Sequence, residues 1–388
     1  MALIAMEKAF ASWKIYLAIL LGLCFTGYLL YRSLSQTHFI EASASKGTHC
    51  WVDNNHNNKI DYSDLKEFKP CKSGEYKKEQ LSDILSTIYW SGQSIVWIFL
   101  AILCMFGRDL AYMLRIRILT NKKLSWKSSF NVILLWEFAS ALSPGVVGGA
   151  TVAMFILNKE KINLGRSTSI VMITALLDNL FFILLLPFVF LFISPEILFP
   201  NNNLVDKSIA LVFWGGFGII FLVCLALFLS VFIFPKAIGR ILSFLCRLPF
   251  LSKFQSKIET LDRDLQTTSK VMKSEKLSFW LGSFGATIVS WSCRYLVINC
   301  VLAAFLSLSL FDHFFILGKQ LVLWIFMLVS PTPGGSGIAE FAFGELMGSF
   351  SSSAILIVGL AVLWRLISYF PYLIIGAILL PNWLKYKK

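Results

Sequence analysis

Long apolar runs separated by short polar and basic stretches organise this chain. Such runs cover about 13–33, 84–107, 167–194, 208–234, 277–310 and 352–380. Each is close to or above the ~20 residues that carry a helix across ~30 Å of hydrocarbon. Two further apolar stretches, 130–157 and 314–350, are broken in the middle by "SPGVVGG" and "SPTPGGSG". Proline removes a backbone donor and glycine favours leaving the helix, so neither stretch reads as one straight span. The pattern predicts an all-α integral membrane protein with about six transmembrane helices and two broken segments.

Charge sets the direction of each crossing. The stretch "RDLAYMLRIRILTNKKLSWK" holds six Lys/Arg against one Asp, and residues 235–276 hold nine against four. Basic loops of this kind stay cytoplasmic. With both inside, 34–83 lies outside and the N-terminus lies inside. The terminal "KYKK" is also inside if each broken stretch dips in and returns on the face it left. The two stretches then form re-entrant helical hairpins from opposite faces. The blocks 84–194 and 277–380 become an inverted-topology repeat, and transporters of that plan bind substrate near the midplane where the broken helices meet. The alternative is a pair of kinked but continuous spans, which would place 235–276 outside.

Composition agrees with this class. Of 388 residues, 57% are hydrophobic and 15% charged, and mean hydropathy is +0.71. The net charge of +13 sits in loops, which points to anionic lipid headgroups and away from nucleic acid. The apolar run at 15–30 reads as an uncleaved anchor, although "ASA" at 42–44 has the form of a signal-peptidase site.

Five ionisable residues fall at membrane depth: Glu137, Asp178, Arg294, Glu340 and Arg365. Charges there cost roughly 2.5–3.5 kcal/mol each on insertion scales, so they usually face a cavity and serve function. One reading pairs Arg294 and Arg365 with Asp178, Glu137 or Glu340. The other gives one or both arginines to an anionic headgroup, because a guanidinium meets phosphate with a bidentate fork. Glu340 is either a cap on the helix that follows the glycines or a contact for substrate.

"PTPGGSGIAE" resembles the P-x-P-G-G-x-G-x-x-E motif of the transmembrane flippase region of bacterial lysylphosphatidylglycerol synthases and their stand-alone relatives. The likeness continues in "WRLISYFPYLIIGAI" at 364–378, and "ALSPGVVGGA" with "TALLDN" resembles the first-half break and its acid. It covers roughly 84–380. It implies movement of headgroup-modified or polyprenyl-linked lipids between leaflets, with Pro331, Pro333, Gly334, Gly335 and Gly337 beside the charged residues at the substrate site. The synthase members carry a separate domain that attaches lysine, and no aminoacyl transfer is expected of residues 1–388.

The polar insert has its own chemistry. Asp53, Asn55, Asn57, Lys59 (through its carbonyl), Asp61 and Asp64 occupy the ligand positions of an EF-hand-like loop, with Asn58 where a glycine is usual and Asp in place of the final Glu. Ca2+ is the candidate cofactor; the alternative is an Asx-rich turn that binds nothing. Cys50 and Cys71 bracket the loop and predict a disulfide on an oxidising face.

The chain therefore divides into an anchor (1–33), an extracytoplasmic insert (34–83), a first transmembrane half (84–234), a basic cytoplasmic loop (235–276) and a second half (277–388). The expected function is lipid transport by alternating access in a bacterial inner membrane. The competing readings are a lipid-modifying enzyme using Glu340 or Asp178, and an ion-coupled carrier of small anions.

Overall fold

A computed structural model describes residues 39–42, 47–54, 60, 65–78, 90–143, 145–199, 204–234, 255–330, 332–351 and 353–386, with a few positions between 20 and 31. The predicted first span, 13–33, lies largely outside the described residues, as do Asn55, Asn57, Lys59, Asp61, Asp64 and Pro331.

The insert is a small sheet, which the expectation of an all-α chain omitted. Strands β1 (Phe39–Glu41), β2 (Gly47–Trp51), β3 (Phe68–Gly74) and β4 (Tyr76–Lys78) pair antiparallel in the order β1-β4-β2-β3. Phe39, Phe68 and Tyr76 form its core, with Trp51 and Ile60 packed alongside. So few apolar side chains make a thin core, and the Cys50–Cys71 disulfide joins β2 to β3 where it supplements that core. The loop predicted to bind calcium leaves a strand and returns through a single turn at Leu65–Glu67 into another strand. The helix–loop–helix frame of an EF-hand is therefore not what flanks it.

The rest is helical: α1 (Gly92–Leu119), α2 (Trp126–Leu142), α3 (Gly145–Lys159), α4 (Leu164–Phe190), α5 (Leu204–Phe228, running into a π turn at Leu229–Ile233), α6 (Gln255–Met272), α7 (Leu277–Ala303), α8 (Leu310–Val329), α9 (Ile338–Met347), α10 (Ala354–Ser368) and α11 (Phe370–Tyr386). Their starts follow from local chemistry. Ser91, Ser125, Asn163 and Ser353 accept hydrogen bonds from the backbone N–H three residues on, and Ser309 forms a capping box with Asp312.

Six helical stretches are long and apolar enough to cross a membrane: 92–119, 164–190, 207–233, 277–303, 310–328 and 354–385. Their outward faces expose Phe99, Phe106 and Leu110 on α1, Leu211, Ile219 and Leu222 on α5, and Leu281 on α7. An apolar surface of that extent suits contact with lipid. This is a multi-pass membrane protein.

Two differences from the sequence reading matter. The second predicted span does not stop at 107. It continues to Leu119 and takes two arginines of the supposed basic loop, Arg108 and Arg115, into the interior. And α8, one arm of the second broken stretch, is itself long enough to span.

Helices α1 and α7 pack antiparallel along most of their length. Gly282 faces Ile118, Thr287 meets Arg115, Ser290 donates to the carbonyl of Arg108 and Cys293 lies against Gly107. Small side chains on both helices permit this approach. Around that pair, α2 and α3, which end and begin at Leu142 and Gly145, fold against each other, and so do α8 and α9, which end and begin at Val329 and Ile338.

Candidate functional site

The two breaks converge on one cavity of about 350 Å³. Ser143 lines it from the first break, and Gly334 and Gly335 from the second. Gly334, Gly335 and Gly337 have φ of 57°, 68° and 89°, a left-handed backbone that costs a residue with Cβ. At Gly334 a Cβ would also run into the ring of Tyr369. Tyr369 ends α10 one residue before "FP", and its hydroxyl donates to the carbonyl of Ala141 at the end of α2 (3.2 Å). One aromatic residue thus ties the second break to the first.

Helix α10 aims Arg365 back into the second break. Its Nε donates to Glu340 Oε1 at 2.9 Å, and an Nη reaches the carbonyl of Gly334 at 3.0 Å. Both side chains of the pair are 3% exposed. The other carboxylate oxygen of Glu340 accepts from the N–H of Gly337 at 2.6 Å, the donor at the start of α9. Glu340 is therefore both cap and counter-ion, and Arg365 supplies the bond that tethers Gly334. Of the predicted site residues here, Arg365, Gly334 and Gly335 line the cavity, whereas Glu340, Gly337 and Pro333 do not.

The first half is built differently. Arg108 is 1% exposed and holds two carboxylates, Asp109 (3.0 Å) and Glu137 (2.6 Å). Its Nη1 also donates to the hydroxyl of Tyr372, which in turn donates to Asp109 at 2.7 Å. Two turns further along α1, Arg115 pairs with Asp178, and Trp291 donates to the same carboxylate at 2.8 Å. The expected pairing of Glu137 and Asp178 with Arg294 or Arg365 is thus replaced by pairing with α1. Sequence reasoning missed Arg108 and Arg115 because it assigned them to a cytoplasmic loop. The signal was present: Arg108, Tyr112 and Arg115 are spaced four and three apart, which stacks them on one helical face. Both guanidiniums lie over the Tyr112 ring, at 4.8 and 4.5 Å.

Arg294 stands apart. It lines the cavity with its guanidinium 5.3 Å from the centroid of Trp291. Among the described residues it makes no hydrogen bond and no ion pair. Close by in the cavity wall, the hydroxyl of Tyr295 and the Nε of Arg108 are buried without a hydrogen-bond partner. Trp136, Trp324, Trp364 and Tyr369 complete an aromatic lining.

The model of the lysylphosphatidylglycerol synthase TM region matches residues 76–376, from the end of the insert into the first turns of α11. The chain belongs to this family. The match takes in the cavity and both breaks. A UPF0104 membrane protein of Archaeoglobus fulgidus is 28% identical over 282 residues, which is 69% of this chain and 81% of the relative. No solved structure matches. The family is that of a transmembrane region and indicates no catalytic domain.

Proposed function

We propose that the protein moves a lipid with an anionic phosphate headgroup between membrane leaflets. The observation that carries this reading is Arg294: an uncommitted guanidinium in an aromatic-lined cavity within an otherwise internally paired set of arginines. Arg294 is half-buried in the cavity wall, and a cation at membrane depth without a carboxylate partner is poised for an external anion. The unpartnered Tyr295 hydroxyl and Arg108 Nε offer further donors to phosphate oxygens. Substrates of the headgroup-modified or polyprenyl-linked kind fit the same chemistry.

The transport mode we infer is alternating access around the two broken segments, α2/α3 and α8/α9, acting as re-entrant hairpins of an inverted repeat. The near match of Arg108, the seventeenth residue of α1, with Arg294, the eighteenth of α7, supports that relation between the halves. The basic loop 235–276 favours both termini on the cytoplasmic side of a bacterial inner membrane. For the insert we keep calcium as the proposed ligand of the loop at 53–64, held between strands.

The test is reconstitution into vesicles carrying a trace of fluorescent phosphatidylglycerol, followed by quenching of the outer leaflet. Exchange faster than in protein-free vesicles is expected. Exchange at the protein-free rate, with uptake of a small water-soluble anion instead, would turn the reading to a solute carrier.

A further inference from the structure

Charge around the cavity is balanced overall but unevenly placed. Four arginines (108, 115, 294 and 365) meet four carboxylates (Asp109, Glu137, Asp178 and Glu340). Two pairs are one to one: Arg115 with Asp178, and Arg365 with Glu340. The remaining groups are not. Arg108 is shared by two carboxylates, which leaves one surplus negative charge, and Arg294 holds one surplus positive charge. Arg294 and Glu137 line the same cavity, so the two surpluses face one shared space.

An anion bound at Arg294 cancels that positive charge. The Asp109–Glu137 pair is then left with an uncompensated negative charge in a site whose arginine is 1% exposed. Two part-buried carboxylates that share one fully buried cation cannot both stay ionised at low cost. We propose that the pair takes up one proton when the anionic headgroup binds, so that lipid and proton cross together as an electroneutral unit. This rests on the phosphate-lipid reading above and adds its energy source. Releasing the headgroup on the far side restores the field of Arg294, and the carboxylate gives its proton up there. One carboxylate O–H bond forms on the loading side and breaks on the far side, and no other covalent bond changes.

The surroundings favour a proton over a metal cation. Facing the pair are Arg108, Tyr112 and Arg115 from α1, Arg294 from α7 and Tyr372 from α11. These are donors and cations rather than the cage of oxygen ligands that a hard cation needs. Among the described residues no group of three His, Cys, Asp or Glu could hold a metal ion. Glu137 lines the cavity and its side chain is 23% exposed, so a proton can reach it from the same space as the headgroup.

The experiment uses the full chain in phosphatidylcholine vesicles with a trace of fluorescent phosphatidylglycerol and an imposed pH difference. One proton per monoanionic lipid shifts the steady-state leaflet ratio about tenfold per pH unit, the factor that one unit represents at equilibrium. The lipid accumulates in the leaflet facing the alkaline side, and a potassium diffusion potential leaves the ratio unmoved. Glu137→Gln removes the effect of the pH difference on the ratio, whereas Glu137→Asp keeps it. Exchange well above the protein-free rate with a ratio indifferent to pH would overturn the coupling and spare the transport reading. A ratio that follows a sodium difference instead would also overturn it. Exchange no faster than in protein-free vesicles would overturn both.

Discussion

The two broken segments put carboxylate and arginine to different use. In the second, Glu340 and Arg365 satisfy each other, the Gly337 N–H and the Gly334 carbonyl, and of the pair only the arginine lines the cavity. In the first, Glu137 competes with Asp109 for one arginine, and that arginine keeps a buried Nε without a partner. One half is closed electrostatically and the other is left one step short of closure. The difference teaches where to look for function. A pair whose two carboxylate oxygens and guanidinium are held by each other and by the backbone of the break serves architecture, however prominent its motif. The imbalance, with Arg294 as its counterweight, is what a ligand or a proton can act on.

The largest effect should come from breaking the closed half. Arg365→Ala leaves Glu340 buried and unmatched and should cost about 3–5 kcal/mol of stability. Thermal unfolding in detergent checks it, and Arg365→Leu with Glu340→Leu should recover much of the loss. An Arg365→Ala protein of unchanged stability but abolished transport would make the second half functional too, and the contrast would fail. Next, Arg294→Ala should leave unfolding unmoved and slow lipid exchange about tenfold or more, the scale of a charge-assisted hydrogen bond of ~1.5–3 kcal/mol. A stability loss there, without loss of exchange, would mean that Arg294 has an internal partner after all. Gly334→Ala, at φ 57° and against Tyr369, should cost about 1–3 kcal/mol through strain and slow exchange as well, since it disturbs the contact between the breaks. The smallest effect belongs to the insert. Calcium at several millimolar should raise its stability by about 1 kcal/mol if the loop binds with millimolar affinity. Calorimetry with and without chelator reads this, and an unmoved transition would assign 53–64 to an Asx-rich turn.

Much of the fold was legible because apolar run length is a direct reading of bilayer thickness. The spans near 167–194 and 208–234 recur as helices within a few residues of their expected ends, whereas 277–310 already ends at Ala303 and 352–380 is two helices that meet at Tyr369. Both breaks were legible because proline and glycine act locally, wherever the rest of the chain goes. The cavity was half legible. Glu137, Asp178, Arg294 and Arg365 were marked out by their depth alone, and all four line it. Pairing was not legible, since it depends on which helices become neighbours. Arg108 and Arg115 were hidden for a related reason. A loop rule counts positive charge per segment, and it has no means of knowing that two of six cations are neutralised by α2 and α4. The sheet at 39–78 escaped because its strands are three to seven residues long and their alternation is too brief to register.

The placement of Arg108 and Arg115 also bears on how the protein is made. Helix α1 is the first well-described helix of the cavity to emerge during synthesis, and it carries two arginines. Glu137 follows Arg108 by 29 residues and Asp178 follows Arg115 by 63, but Thr287 and Tyr372 come 172 and 264 residues after their partners. Until those helices arrive, α1 holds charges that the bilayer interior resists. Its lateral release from the insertion machinery should therefore be delayed, or its C-terminal turns held near the headgroups, until α2 and α4 bring their acids. A nascent chain halted between residues 142 and 164 should show α1 more accessible to water-soluble thiol reagents than one halted after 190.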